Sequence, residues 1–159
     1  MSTTPYNSVD VAKYIVAFWN KKQADINMTK LQKLLYIAYG TWLAVNNDFL
    51  FDEQPQAWPY GPVFPTTRNR LLDCDFDTIN FDSITDDNLK NDNDVEVVIS
   101  SIFNSHFGSW AANKLSAWSH MDGSPWAETT SKIGFKWGDR IDTESIKYFF
   151  KNEVLRSER

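Results

Sequence analysis

Leu31, Leu34, Leu35, Ala38, Trp42 and Leu43 fall at i, i+3, i+4, i+7, i+11 and i+12, which is one face of a 3.6-residue period. The spacing predicts an amphipathic helix that starts near Thr29, where Thr29 and Gln32 have the spacing of a capping box. Asn46-Asn47-Asp48 ends it, because these side chains compete for backbone hydrogen bonds. Gly40 lies inside and costs about 1 kcal/mol relative to Ala; a close helix contact over it and a merely tolerated glycine both account for it. A first helix is read from Ser8 to Lys21, with Ser8 as cap and Val9 or Ala12, Ile15, Val16 and Trp19 facing inward. Pro65 suits the first turn of a short helix over Thr66 to Leu72. Asp94 caps a helix to Phe107, Ser109 caps one over Trp110 to His120, and Trp126 opens a further short helical stretch after the turn Asp122-Gly123-Ser124-Pro125. Asp142 caps the last helix, with Ile146, Phe149, Phe150 and Val154 inward.

Phe49-Leu50-Phe51 and Gln56-Ala57-Trp58 flank Asp52-Glu53-Gln54-Pro55, a pattern that predicts a small β-hairpin. The fold class is mainly α, one compact helical domain over 1–159 with about six to eight helices and one short β-hairpin. Asp73 to Asn93 is a polar connection with isolated apolar anchors at Phe76, Ile79, Phe81 and Ile84. It is longer than most loops, so it is read as a variable insertion or as partly helical.

The least ordinary stretch is Trp58-Pro59-Tyr60-Gly61-Pro62-Val63-Phe64-Pro65, with three prolines in eight residues. Each proline fixes its own φ and pushes the preceding residue to extended geometry. Such a loop loses little entropy when a partner binds. Trp58 reads more naturally as a core aromatic, and Tyr60 and Gly61, in the turn, as surface residues.

With 159 residues, 42% hydrophobic and 15% aromatic, the chain is long and apolar enough to bury a core. Met1 to Val11 lacks the basic and apolar regions of a signal peptide, and no apolar run approaches the ~20 residues of a membrane span. A soluble, cytoplasmic protein is expected. The net charge of −5 is uneven. The stretch from Asp73 to Asp94 holds eight Asp against one Lys, −7, leaving 15 basic against 13 acidic residues, +2, elsewhere. There is no basic stripe of the kind duplex nucleic acid requires, so nucleic-acid binding is not expected.

Catalytic and metal motifs are absent. Asp73-x-Asp75-x-Asp77 would begin an EF-hand loop, but Thr78 and Ile84 stand where glycine and glutamate are needed. Cys74, His106 and His120 are the only thiol and imidazoles, fewer than the four ligands of structural zinc. A Cys-His pair would need the fold to join them. His120 is read instead as a helix C-terminal cap, where a cation meets the dipole favourably. Phe135 and Trp137, in the aromatic and basic stretch from Lys132 to Arg140, are read as core residues in preference to a base-stacking platform. No phosphate-binding glycine loop, GxSxG or HExxH is present, and neither an enzyme nor a cofactor is expected.

The run LQKLLYIAYGTWLA followed by AWPYGPVFP resembles the Panacea domain of SocA-like and phage-associated GepA-like bacterial and prophage proteins. Leu115-Ser116-Ala117-Trp118-Ser119-His120 is similar to the family's helix end, with Ser119 where Thr is usual. Gly123-Ser124-Pro125-Trp126 is similar to its G-x-P-W turn, and Ile141 to Phe150 to its closing helix. The resemblance implies an antitoxin that neutralises a toxin encoded by a neighbouring gene through direct protein contact, without a cofactor. A SocA-type member also delivers its toxin to a ClpXP protease, so delivery of a client to such an AAA+ protease is the alternative. Some members carry an additional N-terminal DNA-binding domain; with a first helix at Ser8, none is expected here. The expected partner-contact residues are Trp58, Pro59, Tyr60, Gly61 and Pro62, with Tyr36 and Tyr39 on the preceding helix, and the acidic connection would steer a basic toxin.

Overall fold

The computed structural model describes residues 4–156. Among them are nine α-helices and one two-stranded antiparallel hairpin. The helices are α1 (Ser8–Lys21), α2 (Met28–Asn46), α3 (Pro65–Leu71), α4 (Asp87–Lys90), α5 (Asn93–Asn104), α6 (His106–Ser109), α7 (Ala112–Ser119), α8 (Pro125–Thr130) and α9 (Thr143–Phe149), the last running on into a π turn, Phe150–Val154. The strands are β1 (Gln56–Trp58) and β2 (Gly61–Val63). The mainly α class expected from the spacing is the class found.

The second helix is the axis. It packs against α1, α5, α7, α9 and β2, and every residue from Leu31 to Gly40 is buried. The leucine stripe therefore understates its burial: the face opposite the leucines, with Tyr36 and Tyr39 each 1% exposed, is also inside. A helix surrounded on all sides needs its polar residues to find buried partners. Gln32 and Lys33 do, as described below. Gly40 is explained by contact, since a Cβ there would stand 2.3 Å from ring carbons of the fully buried Phe150. Aromatic side chains fill much of the core around it, with Tyr36 edge-on to Phe150 and Tyr39 against Phe51 and Phe64.

The hairpin forms one step later than the sequence pattern suggests. Phe49 to Phe51 is not its first strand; Phe51 makes an isolated bridge to Tyr6. The pairs are Gln56 with Val63, Ala57 with Pro62 and Trp58 with Gly61, so Pro59 and Tyr60 form the turn. The physical reason lies in Asp52 and Glu53, whose carboxylates act as helix caps. Asp52 accepts from the Ser8 backbone N–H at 2.9 Å. Glu53 accepts from the backbone N–H groups of Thr66 (2.6 Å) and Thr67 (3.1 Å), and from the Ser8 hydroxyl (3.0 Å). The acidic residues between the apolar triplets thus satisfy the free N-termini of α1 and α3.

Helix starts shift by one or two residues wherever an earlier Asn or Asp supplies the cap. Asn7 caps α1, Asn27 caps α2 and Asp92 caps α5, in place of Ser8, Thr29 and Asp94. The helix expected to reach Phe107 ends at Asn104, where the Ser105 hydroxyl caps α6. Gly108 then lets the chain pass close by, since a Cβ there would lie 2.0 Å from the Phe103 carbonyl oxygen. The acidic connection is partly helical: two 3-10 turns, Phe76–Thr78 and Phe81–Ser83, precede α4. Asp75, Asn80, Asp86 and Asp92 each cap one of its turns or the helix after it. Ile79, Ile84 and Leu89 anchor it in the core.

Candidate functional site

The hairpin tip is clasped from three sides. From below, α2 supplies the two polar side chains that its burial makes conspicuous. The Gln32 side-chain oxygen accepts from the Phe64 backbone N–H at 2.7 Å. Lys33 Nζ donates to the Pro62 carbonyl at 3.1 Å. These bonds serve backbone groups that a two-stranded hairpin leaves unpaired on its inner edge. Lys33 is 1% exposed, and among the described residues no carboxylate pairs with it. Burial alone pushes its pKa down to about 8.

Gly61 makes the close approach possible. Its φ is +115°, a region that favours glycine. A Cβ there would stand 2.5 Å from Ser119 Oγ and 2.7 Å from Lys33 Cε. From the side come α7 and α8. Trp126, at the start of α8, donates from Nε1 to the Trp58 carbonyl at 2.8 Å. Its ring stacks on His120 with centroids 3.9 Å apart and planes 16° apart. Burial first, and the nearby Lys33 charge second, hold His120 below its usual pKa, with the Tyr60 backbone opposing the shift. His120 does end α7, as its position suggests, but its ring is stacked on Trp126 and its surroundings disfavour the cation expected to meet the helix dipole.

The third side is the outer edge of β1, which would otherwise be an open strand edge. Ala57 N–H donates to the Asp139 carbonyl at 2.8 Å, and Gly138 N–H donates to the Ala57 carbonyl at 2.9 Å. That pairing raises Trp137 beside Trp126, with centroids 6.3 Å apart, and Phe135 meets Trp137 edge-on. Trp137 is 58% exposed, so it is a surface residue and not the core residue that its apolar character suggested.

The sequence-predicted contact residues divide. Tyr60 is 75% exposed, Pro59 is exposed, and Trp58 is half-buried with Arg68 over its ring at 5.5 Å. Gly61 and Pro62 are buried under the tip. Tyr36 and Tyr39 are in the core and reach no surface; they seat α2. Sequence reasoning missed Lys33, Ser119, Trp126 and Trp137 as members of this site. A lysine and a glutamine inside a continuous apolar helix were the available signal for the clasp beneath the tip. Cys74 is an exposed free thiol whose Sγ lies 3.8 Å from the Arg70 carbonyl, and His106 packs on Phe107 and Trp110. Among the described residues no group of three or more His, Cys, Asp and Glu side chains is placed to hold a metal ion, and no helix is long and apolar enough to cross a membrane.

The short motifs LQK, YGP, SH and SPW are thus one structure: Lys33, Gly61, Ser119–His120 and Trp126 meet around one turn. No curated protein and no solved structure matches the chain. Residues 31–127 match the family described as antitoxin SocA-like, Panacea domain, a span that opens at the start of the buried part of α2 and closes one residue after Trp126. The chain belongs to the SocA-like antitoxin family of Panacea domains.

Proposed function

We propose that the protein neutralises a cognate toxin in the cytoplasm by direct binding, with the hairpin tip as the contact. The observation that carries this reading is an aromatic tip clasped by its neighbours. Trp58, Pro59 and Tyr60 are held by Lys33, by the Trp126–His120 stack and by the 138–140 segment, and Tyr60 is 75% exposed at the apex. Preorganised backbone lowers the ordering cost of association, and Tyr and Trp are the side chains that dominate interface energies. Trp137 extends the same surface. The partner set narrows to Trp58, Pro59, Tyr60 and Trp137, with Gly61, Pro62, Tyr36 and Tyr39 as support.

The test is co-expression of toxin and antitoxin, with binding measured on the purified pair. Tyr60→Ala should keep its thermal midpoint and lose at least about tenfold in affinity, as expected for a hot-spot aromatic. Undiminished binding by a folded Tyr60→Ala, Trp137→Ala double variant would refute the assignment. Carrying out the rescue in a host lacking the protease separates capture from delivery. Rescue that persists there supports capture; rescue that disappears supports the adaptor reading.

A further inference from the structure

Beyond the hairpin, α8 and α9 enclose a groove of about 610 Å³. Its apolar surface includes Met121 and Tyr148, which are 46% and 68% exposed. Its rim carries four carboxylates, Asp122, Glu128, Glu144 and Glu153, and no lysine, arginine or histidine lines it. These acids come from separate segments: the turn after α7, α8, the first turn of α9 and the π turn that follows it. The Ser145 hydroxyl donates to Glu128 at 2.8 Å, fixing α8 against α9. The two cations of this wall, Lys147 and Lys151, do not line the groove, and Lys147 is engaged by Asn47.

We infer that this groove docks a cationic amphipathic helix of a protein partner. The apolar floor takes a row of aliphatic side chains, and the carboxylates take lysines or arginines on either side of that row. Charge decides the occupant. The carboxylates ring the floor without converging as a metal site, and their sign excludes nucleic acid and anionic lipid. A purely apolar ligand would leave the four carboxylates without a cation beside them. From Glu144 to Glu153 the wall is about 13 Å long at about 1.5 Å per residue, the length of two to three turns of a partner helix. The site is separate from the hairpin tip, because Trp126 turns towards β1 while Glu128, two residues on, faces α9.

Fluorescence anisotropy with three labelled peptides tests the inference on the full chain. One is a leucine–lysine amphipathic helix, the second has the same leucines with glutamates, and the third is oligolysine. The leucine–lysine helix should bind and the other two should not, with affinity falling between about 50 mM and about 300 mM salt. Glu144→Lys with Glu153→Lys should cost at least tenfold, and Tyr148→Ala should weaken binding independently. Reversal of Asp73 and Asp77 on the acidic connection should change nothing; an equal loss there means general charge attraction and overturns the site. Binding of the glutamate peptide, or a loss caused by Tyr60→Ala and not by the groove variants, overturns it as well. The hairpin reading stands or falls separately, on toxin affinity of Tyr60→Ala.

Discussion

Replacing Lys33 by methionine removes the buried charge beneath the hairpin together with its hydrogen bond to the Pro62 carbonyl, and only the charge makes the difference depend on pH. The ordinary lysine value of 10.5 falls to about 8 in the folded chain. That gap corresponds to about 3 kcal/mol of unfavourable charge burial. Between the two values the unfolded chain binds more protons than the folded one, so raising the pH favours folding. Below about pH 8 both states keep the proton, and the contribution is constant and unfavourable. From about pH 7.5 to about pH 9.5 the wild type should recover about 2 kcal/mol that Lys33→Met does not, which is about 4–8 °C in Tm for a chain of this size. The comparison must be between the two proteins at each pH. Burial raises the pKa of Tyr14 (to about 12), Tyr36 and Tyr39, so their titration lowers stability in the alkaline range, and it does so equally in both proteins. Urea titration followed by tryptophan fluorescence at the two pH values supplies the four midpoints. A stability difference that stays constant with pH would refute a buried, unpaired ammonium at this position.

Two further substitutions probe the frame around the tip. Gly61→Ala places a methyl group against Ser119 and Lys33 at a φ of +115°. It should cost about 2–3 kcal/mol, measured by urea unfolding, together with loss of toxin binding. Glu53→Ala removes the shared cap of α3 and its bond to Ser8. It should cost about 2 kcal/mol and speed amide exchange at Thr66 and Thr67, while a change below about 0.5 kcal/mol would mean that water replaces the carboxylate without loss.

The elements were legible where one face alone had to be apolar. The first and last helices and the short helix after Pro65 begin within one residue of their predicted positions, because a capping side chain at Asn7 or Asp142, or the proline at the first turn, marks each start. In α2 periodicity placed the helix and its leucine face correctly but not its other face, for a physical reason. A helix buried on every side has no polar face to mark its orientation, so Tyr36 and Tyr39, off the leucine stripe, looked exposed. The hairpin was displaced because Asp52 and Glu53 read as turn residues, although their work is to cap helices more than ten residues away in both directions. Trp137 was misplaced for a related reason. Its exposure depends on the 138–140 segment pairing with β1, a tertiary contact with no local pattern.

The clasp also explains why polar residues sit where the helix pattern alone would favour apolar ones. Prolines stiffen the turn but remove backbone donors, and Gly61 supplies no side chain, so β2 has little of its own with which to bind the helix beneath it. Something beneath must reach up to its carbonyls. Gln32 and Lys33 are long enough to do so from α2, and glycine at 61 leaves room for Lys33 to pass. A methionine at 33 would fill the same space without the cost of burying a charge, but it would leave the Pro62 carbonyl without its partner. Lysine there carries the cost of a buried charge at neutral pH and supplies the bond to the Pro62 carbonyl, as expected if the position of the tip matters to the chain.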